Sequence, residues 1–172
     1  MPSPSVLRGH LVDAAIEESP TDIPNGCLLL EGRIITDLGT PDEIRSRHPG
    51  IAVPELPEGY PVILPGLVDI HAHLPQYPAV ARSEKELLPW LKRHIFPLES
   101  RFQATDEKTA EAITLFFDEA LANGTTTLVL YGAIWEDSCE LAFQIAERRG
   151  LRVVLGKGMM DDSSYGSLPA DK

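Results

Sequence analysis

The stretch that decides the fold is Leu64-Pro65-Gly66-Leu67-Val68-Asp69-Ile70-His71-Ala72-His73. Pro65-Gly66 punctuates the chain, and the mostly apolar run Leu67–His73 behind it reads as a buried strand. Side chains two apart on a strand share a face. Asp69, His71 and His73 therefore lie on one side, with the two histidines about 6.6 Å apart along the strand. A modest twist at the strand end brings both imidazoles to one metal ion. Imidazole suits Zn²⁺ or another borderline metal, at Zn–N distances of about 2.0–2.1 Å. A bare His-x-His also fits two ordinary polar residues at a strand end. Its position separates the two readings: it closes the first strand of a strand–helix series, where α/β barrels carry their active sites.

Downstream, the pattern alternates. A loop with a helical piece over about Glu84–His94 comes first. Thr105 then offers an N-cap, with Asp106 and Glu107 in the first turn, where acids suit the helix dipole. Ile113, Phe116, Phe117, Ala120 and Leu121 form a one-sided apolar stripe, and Asn123-Gly124 ends that helix. Thr125–Tyr131 is β-branched and apolar, a buried strand. A helix over Glu136–Arg149 carries Cys139, Ala142, Phe143 and Ala146 on one face, and Arg152–Gly156 is a third strand. Strands alternating with helices predict a parallel sheet with right-handed crossovers. Upstream, the chain is β-rich: strands over Val6–Ala14 and Cys27–Glu31, a turn at Glu31-Gly32, and a strand over Arg33–Leu38. A short helix over Pro41–Arg47, a Pro-rich connection and a short strand over Pro61–Leu64 follow. The expected organisation is residues 1–64 as an N-terminal β portion and 65–172 as the first βα units of a second domain.

The whole chain has 172 residues and a formal net charge of −11. That acidity excludes a nucleic-acid partner, which needs a basic face. Hydrophobic residues at 43% and charged residues at 24% are ordinary globular usage. No apolar run is long enough for a membrane span, so no membrane partner is expected. The first twenty residues lack the apolar core of a signal peptide, which predicts a cytoplasmic protein. Cys27 and Cys139 form no motif and read as reduced, buried thiols.

The run Pro65–His73 resembles the opening metal motif of the amidohydrolase superfamily, metal-dependent hydrolases on a (β/α)8 barrel with a small β-sandwich. The continuation is more specific. His71-Ala72-His73-Leu74-Pro75-Gln76-Tyr77, Leu87-Leu88-Pro89-Trp90-Leu91, Phe96-Pro97-Leu98-Glu99-Ser100-Arg101-Phe102 and Asn123-Gly124-Thr125-Thr126-Thr127 are similar, in that order, to guanine deaminases. The resemblance implies an α/β fold: the N-terminal part of a (β/α)8 TIM barrel preceded by strands of the sandwich. It implies His71 and His73 as zinc ligands, and His73, Leu74, Pro75 and Gln76 as the lining of a guanine pocket. The Gln76 amide, both donor and acceptor, would hold the base. Trp90 and Phe96 are further pocket candidates. Asp69 is read as supporting a ligand or capping the strand end, and Tyr77 is open in the same way. Glu99 and Arg101 are read as a local ion pair or loop support. His94 is read as solvated or packed, and His10 and His48 as surface residues. The implied reaction is hydrolytic deamination of guanine to xanthine and ammonia at zinc. The cytidine-type zinc deaminases use H-x-E with P-C-x-x-C instead, and neither motif occurs in this chain.

The resemblance also implies parts that have no match here: two later histidines, a proton-shuttling glutamate, a late aspartate and an arginine–phenylalanine pair. The stretch after Gly66 is less than half of the ~250 residues of a full barrel. The expectation is therefore an N-terminal portion with no catalytic residue of its own and inactive alone, a homodimer when full length. Two rival readings are a portion of another amidohydrolase acting on a heterocyclic amine, and a non-catalytic module that pairs with a full-length subunit through its open sheet edge.

Overall fold

The computed structural model describes residues 3–13 and 20–159. The chain divides into two compact units, Met1–Pro65 and Gly66–Lys172.

The first unit is a four-stranded sheet in the order β3-β2-β1-β4, formed by β1 (Ser5–Asp13), β2 (Thr21–Glu31), β3 (Ile34–Gly39) and β4 (Val62–Ile63). β1–β2 and β2–β3 are antiparallel, and β4 runs parallel to β1. β2 begins six residues before the expected Cys27. Pro24, Asn25 and Gly26 are poor strand formers, yet the pairing continues across them, passing from Gly9–Gly26 to Leu11–Ile23. Two residues of β2 thus oppose one of β1, a bulge at which a strand proline is tolerated. The hairpin turn is Gly32-Arg33, one residue later than expected, with Gly32 at φ 64°. Residue 14 of the expected first strand lies outside the described residues.

Helix α1 (Pro41–Arg47) is closed by a reciprocal Thr40–Glu43 capping box with Pro41 in its first turn. Asp37 accepts from Arg47 and His48, and the Arg47 and His48 contacts hold its carboxyl down at about 2. His10 pairs with Asp22 at 2.6 Å. Both N-terminal histidines are thus engaged with carboxylates.

Close approach explains Gly9. A Cβ there would stand 2.4 Å from the carbonyl oxygen of Pro61. Gly9→Ala is therefore expected to push β4 off β1 and to cost about 1–3 kcal/mol. Urea denaturation checks this, and a midpoint equal to wild type would contradict it.

The second unit is a three-stranded parallel sheet, β5 (Leu67–His73), β6 (Thr125–Tyr131) and β7 (Arg152–Gly156), in the order β5-β6-β7. Between β5 and β6 come a 3-10 segment (Leu74–Ala79), α2 (Leu87–Trp90), a π segment (Leu91–Ile95), α3 (Phe96–Ser100) and α4 (Glu107–Ala122). Helix α5 (Glu136–Arg149) joins β6 to β7. The expected helical piece starts three residues late and widens into the π segment. Pro97 has no N–H for the carbonyl four residues back, so regular α bonding cannot run through this region. The cap of α4 is Asp106, whose carboxylate accepts from Thr109 N–H at 3.0 Å. Thr105 and Asp106 are both good caps, and the charged one wins at the helix N-terminus.

The core of this unit holds Ile113, Phe116 and Phe117 of α4, Leu128 and Leu130 of β6, and Ala142, Ile145 and Ala146 of α5. Phe143, expected on the inner face, is 41% exposed, and Ile145 takes that place. The buried positions Ser138, Cys139, Ala142, Ile145 and Ala146 form a stripe centred on Ala142, and Phe143 falls just outside it, beyond Cys139. On β5, Val68 and Ile70 are exposed, unlike a parallel sheet covered on both faces. Cys27 and Cys139 are free and buried, and burial pushes both thiols up. No helix among the described residues is long and apolar enough to cross a membrane.

Candidate metal centre

β5 delivers His71 and His73 to its C-terminal end, where the chain turns into the 3-10 segment. The two Nε2 atoms stand 3.3 Å apart. Two nitrogens bound at about 2.0–2.1 Å to one tetrahedral zinc lie about 3.3–3.4 Å apart. The pair thus already has the spacing of two ligands on one ion, and the residues present fit that metal. A third His, Cys, Asp or Glu does not join them: no group of three or more able to hold a metal occurs among the described residues.

The rings are held from several sides. Tyr131, at the end of β6, pairs in register with His73. Its ring stacks on His73 at 4.7 Å and 14° and meets His71 at 5.2 Å. Burial first, and the neighbouring His71 second, hold the His73 imidazole below its ordinary value. The neutral form, which metals require, therefore persists to lower pH. Asp69 accepts from the backbone N–H of His71 at 3.0 Å, so it braces the strand end.

The 3-10 segment places Gln76 beside this pair. Its side-chain nitrogen is 3.2 Å from His73 Nδ1 and donates to Glu99 Oε1 at 2.8 Å. Leu74 and Pro75 are buried, Leu74 within the hydrophobic cluster. Tyr77 packs edge-on against Phe116 at 5.5 Å. Trp90 donates its indole N–H to the carbonyl of Arg82 at 2.9 Å, tying down the loop. Phe96 is half-buried at the start of α3. His94 Nε2 lies 3.4 Å from Glu84, and its buried Nδ1 has no partner among the described residues. Glu99 and Arg101 form no ion pair, since Glu99 turns to Gln76.

Sequence reasoning missed Tyr131 and the role of Glu99. Tyr131 was within reach: it ends the neighbouring parallel strand, opposite His73. Glu99 was not, because only the fold brings α3 to Gln76.

A metal-ready histidine pair at the C-terminal end of a parallel strand, in a strand–helix series, defines the class. A family model described as "Amidohydrolase family" matches residues 62–171, and the chain belongs to that family. Within it, the chain is similar to guanine deaminases. It is 38% identical to the enzyme of Escherichia coli over 100 residues, 58% of this chain and 23% of that one. It is 42% identical to that of Rattus norvegicus over 99 residues, 57% of this chain and 22% of that one. The solved guanine deaminase of Bradyrhizobium japonicum superposes with a TM-score of 0.78 at 26% identity, covering 93% of this chain and 36% of that one. The chain thus matches the N-terminal part of these proteins, and each match spans well under half of the relative.

Proposed function

We propose that this chain is the N-terminal portion of a zinc-dependent guanine deaminase, which converts guanine and water to xanthine and ammonia in purine catabolism. In this reading His71 and His73 hold the metal through Nε2, Tyr131 fixes the ring planes, and Gln76 orients the base. Bound zinc supplies the Lewis acidity that makes a hydroxide nucleophile available near neutral pH. The segment from His73 to Gln76 forms one wall of the base site, and the half-buried Trp90 and Phe96 are candidates for the rest. The observation that carries the reading is the 3.3 Å Nε2 separation, with the Gln76 amide 3.2 Å from His73. Similarity to guanine deaminases supports the choice of substrate.

Alone, the chain is expected to be inactive. Two ligands fall short of the three protein ligands plus water common in catalytic zinc sites. In this reading the exposed Val68 and Ile70 would be covered by the rest of the barrel. A cytoplasmic location, suited to two reduced thiols, and a homodimer in the complete enzyme belong to the same reading.

The test is a chimera in which this chain replaces the matching segment of the Escherichia coli relative. Guanine conversion to xanthine is expected, lost on His71→Ala. A folded, zinc-loaded chimera that leaves guanine untouched and deaminates another amino-heterocycle would sink the substrate assignment.

A further inference from the structure

Glu99 is a half-buried carboxyl on α3 whose partner among the described residues is the Gln76 amide. An ionised carboxylate only accepts, so it must meet the nitrogen end of that amide. The Gln76 Oε1 is then left without a protein partner among the described residues. The second contact of the amide nitrogen, to His73 Nδ1 at 3.2 Å, depends on the ring. Nδ1 accepts only while the ring hydrogen sits on Nε2. A metal on Nε2 places that hydrogen on Nδ1, which makes Nδ1 a donor and ends the acceptance. Glu99 is the partner that does not change with the state of His73.

We infer that Glu99 is a positioning residue: it anchors the Gln76 amide nitrogen and so presents Oε1 as an acceptor for a ligand N–H. This rests on the assignment of Gln76 to the base site. The ligand class it selects is a heterocycle offering an amino or lactam N–H to Gln76, and a ring with only acceptors on that edge is rejected. Burial pushes the Glu99 carboxyl up while the Gln76 bond opposes it. This marks the amide as the group that stabilises the charge. A charge-assisted bond of this kind is roughly twice as strong as a neutral one.

The experiment uses the full 172-residue chain, ¹⁵N-labelled, with the Gln76 side-chain resonances assigned by their loss in Gln76→Ala. The readout is rotation about the Gln76 amide bond, seen as exchange between its two protons. Losing one charge-assisted hydrogen bond is expected to speed it by about tenfold in Glu99→Ala. Glu99→Gln keeps the shape and an acceptor but not the charge, and its rate should fall between the two. If wild type, Glu99→Gln and Glu99→Ala rotate within about twofold of one another, the inference is overturned. Guanine is then added to the Escherichia coli chimera carrying each version of residue 99, because this chain by itself supplies only one wall of the base site. Movement of the Gln76 resonances in wild type, weaker in Glu99→Ala, supports both claims. If guanine moves nothing while the rotation rates differ as stated, the positioning role stands and the guanine reading falls.

Discussion

His73→Ala is expected to lower zinc affinity about a hundredfold or more, and His71→Ala to do the same. Groups that merely support a ligating histidine are worth about 10–100-fold in metal affinity. In the proposed site each histidine is half of the ligand set the chain provides. Isothermal titration of zinc near pH 7 measures this. His10→Ala is the control, because His10 belongs to the first unit and is engaged with Asp22. The wild-type affinity should fall as the solution is acidified, since the ligands must be neutral to bind. The lowered value of His73 moves that loss to lower pH than an ordinary histidine would give. Unchanged affinity in both alanine variants would remove the pair from the metal site.

The second large effect belongs to the core. Phe117 is fully buried on α4 among Ile113, Phe116, Leu128 and Leu130. Truncation to alanine removes a ring from a packed interior and leaves a cavity, at a cost of about 3–5 kcal/mol. Against a total stability of about 5–15 kcal/mol for a typical domain, that is a large fraction. Leu115, two residues away on the same helix, is 53% exposed. Its replacement by alanine should change stability by no more than about 0.5 kcal/mol. Denaturant unfolding of the two variants side by side checks the contrast. A Phe117→Ala midpoint close to that of Leu115→Ala would mean that α4 does not pack as described.

Much of this was legible in the residues because the signals were local. β5, β6, β7, α1 and α5 stand where the residues place them, since β-branched runs and three-and-four spacing mark them off from Gly-rich and Pro-rich breaks. The histidine pair was legible for the same reason: a period of two puts both rings on one face. The errors came where two local signals competed. Pro24-Asn25-Gly26 has turn chemistry but serves as a bulge, because pairing with β1 continues on both sides of it. Thr105 and Asp106 both cap helices, and the boundary moved by one residue. Phe143 is apolar but off the buried stripe. The remainder of the site was illegible because it is assembled across sequence. Glu99 reaches Gln76 from 23 residues away, through a π segment and a proline whose course no periodicity describes.

The central claim is that His71 and His73 jointly hold one metal ion. X-ray absorption at the zinc edge of the zinc-loaded protein measures this most directly. Two imidazole nitrogens at about 2.0–2.1 Å are expected, falling to one in either His71→Ala or His73→Ala. A spectrum without imidazole scattering, or one that neither substitution alters, would contradict it.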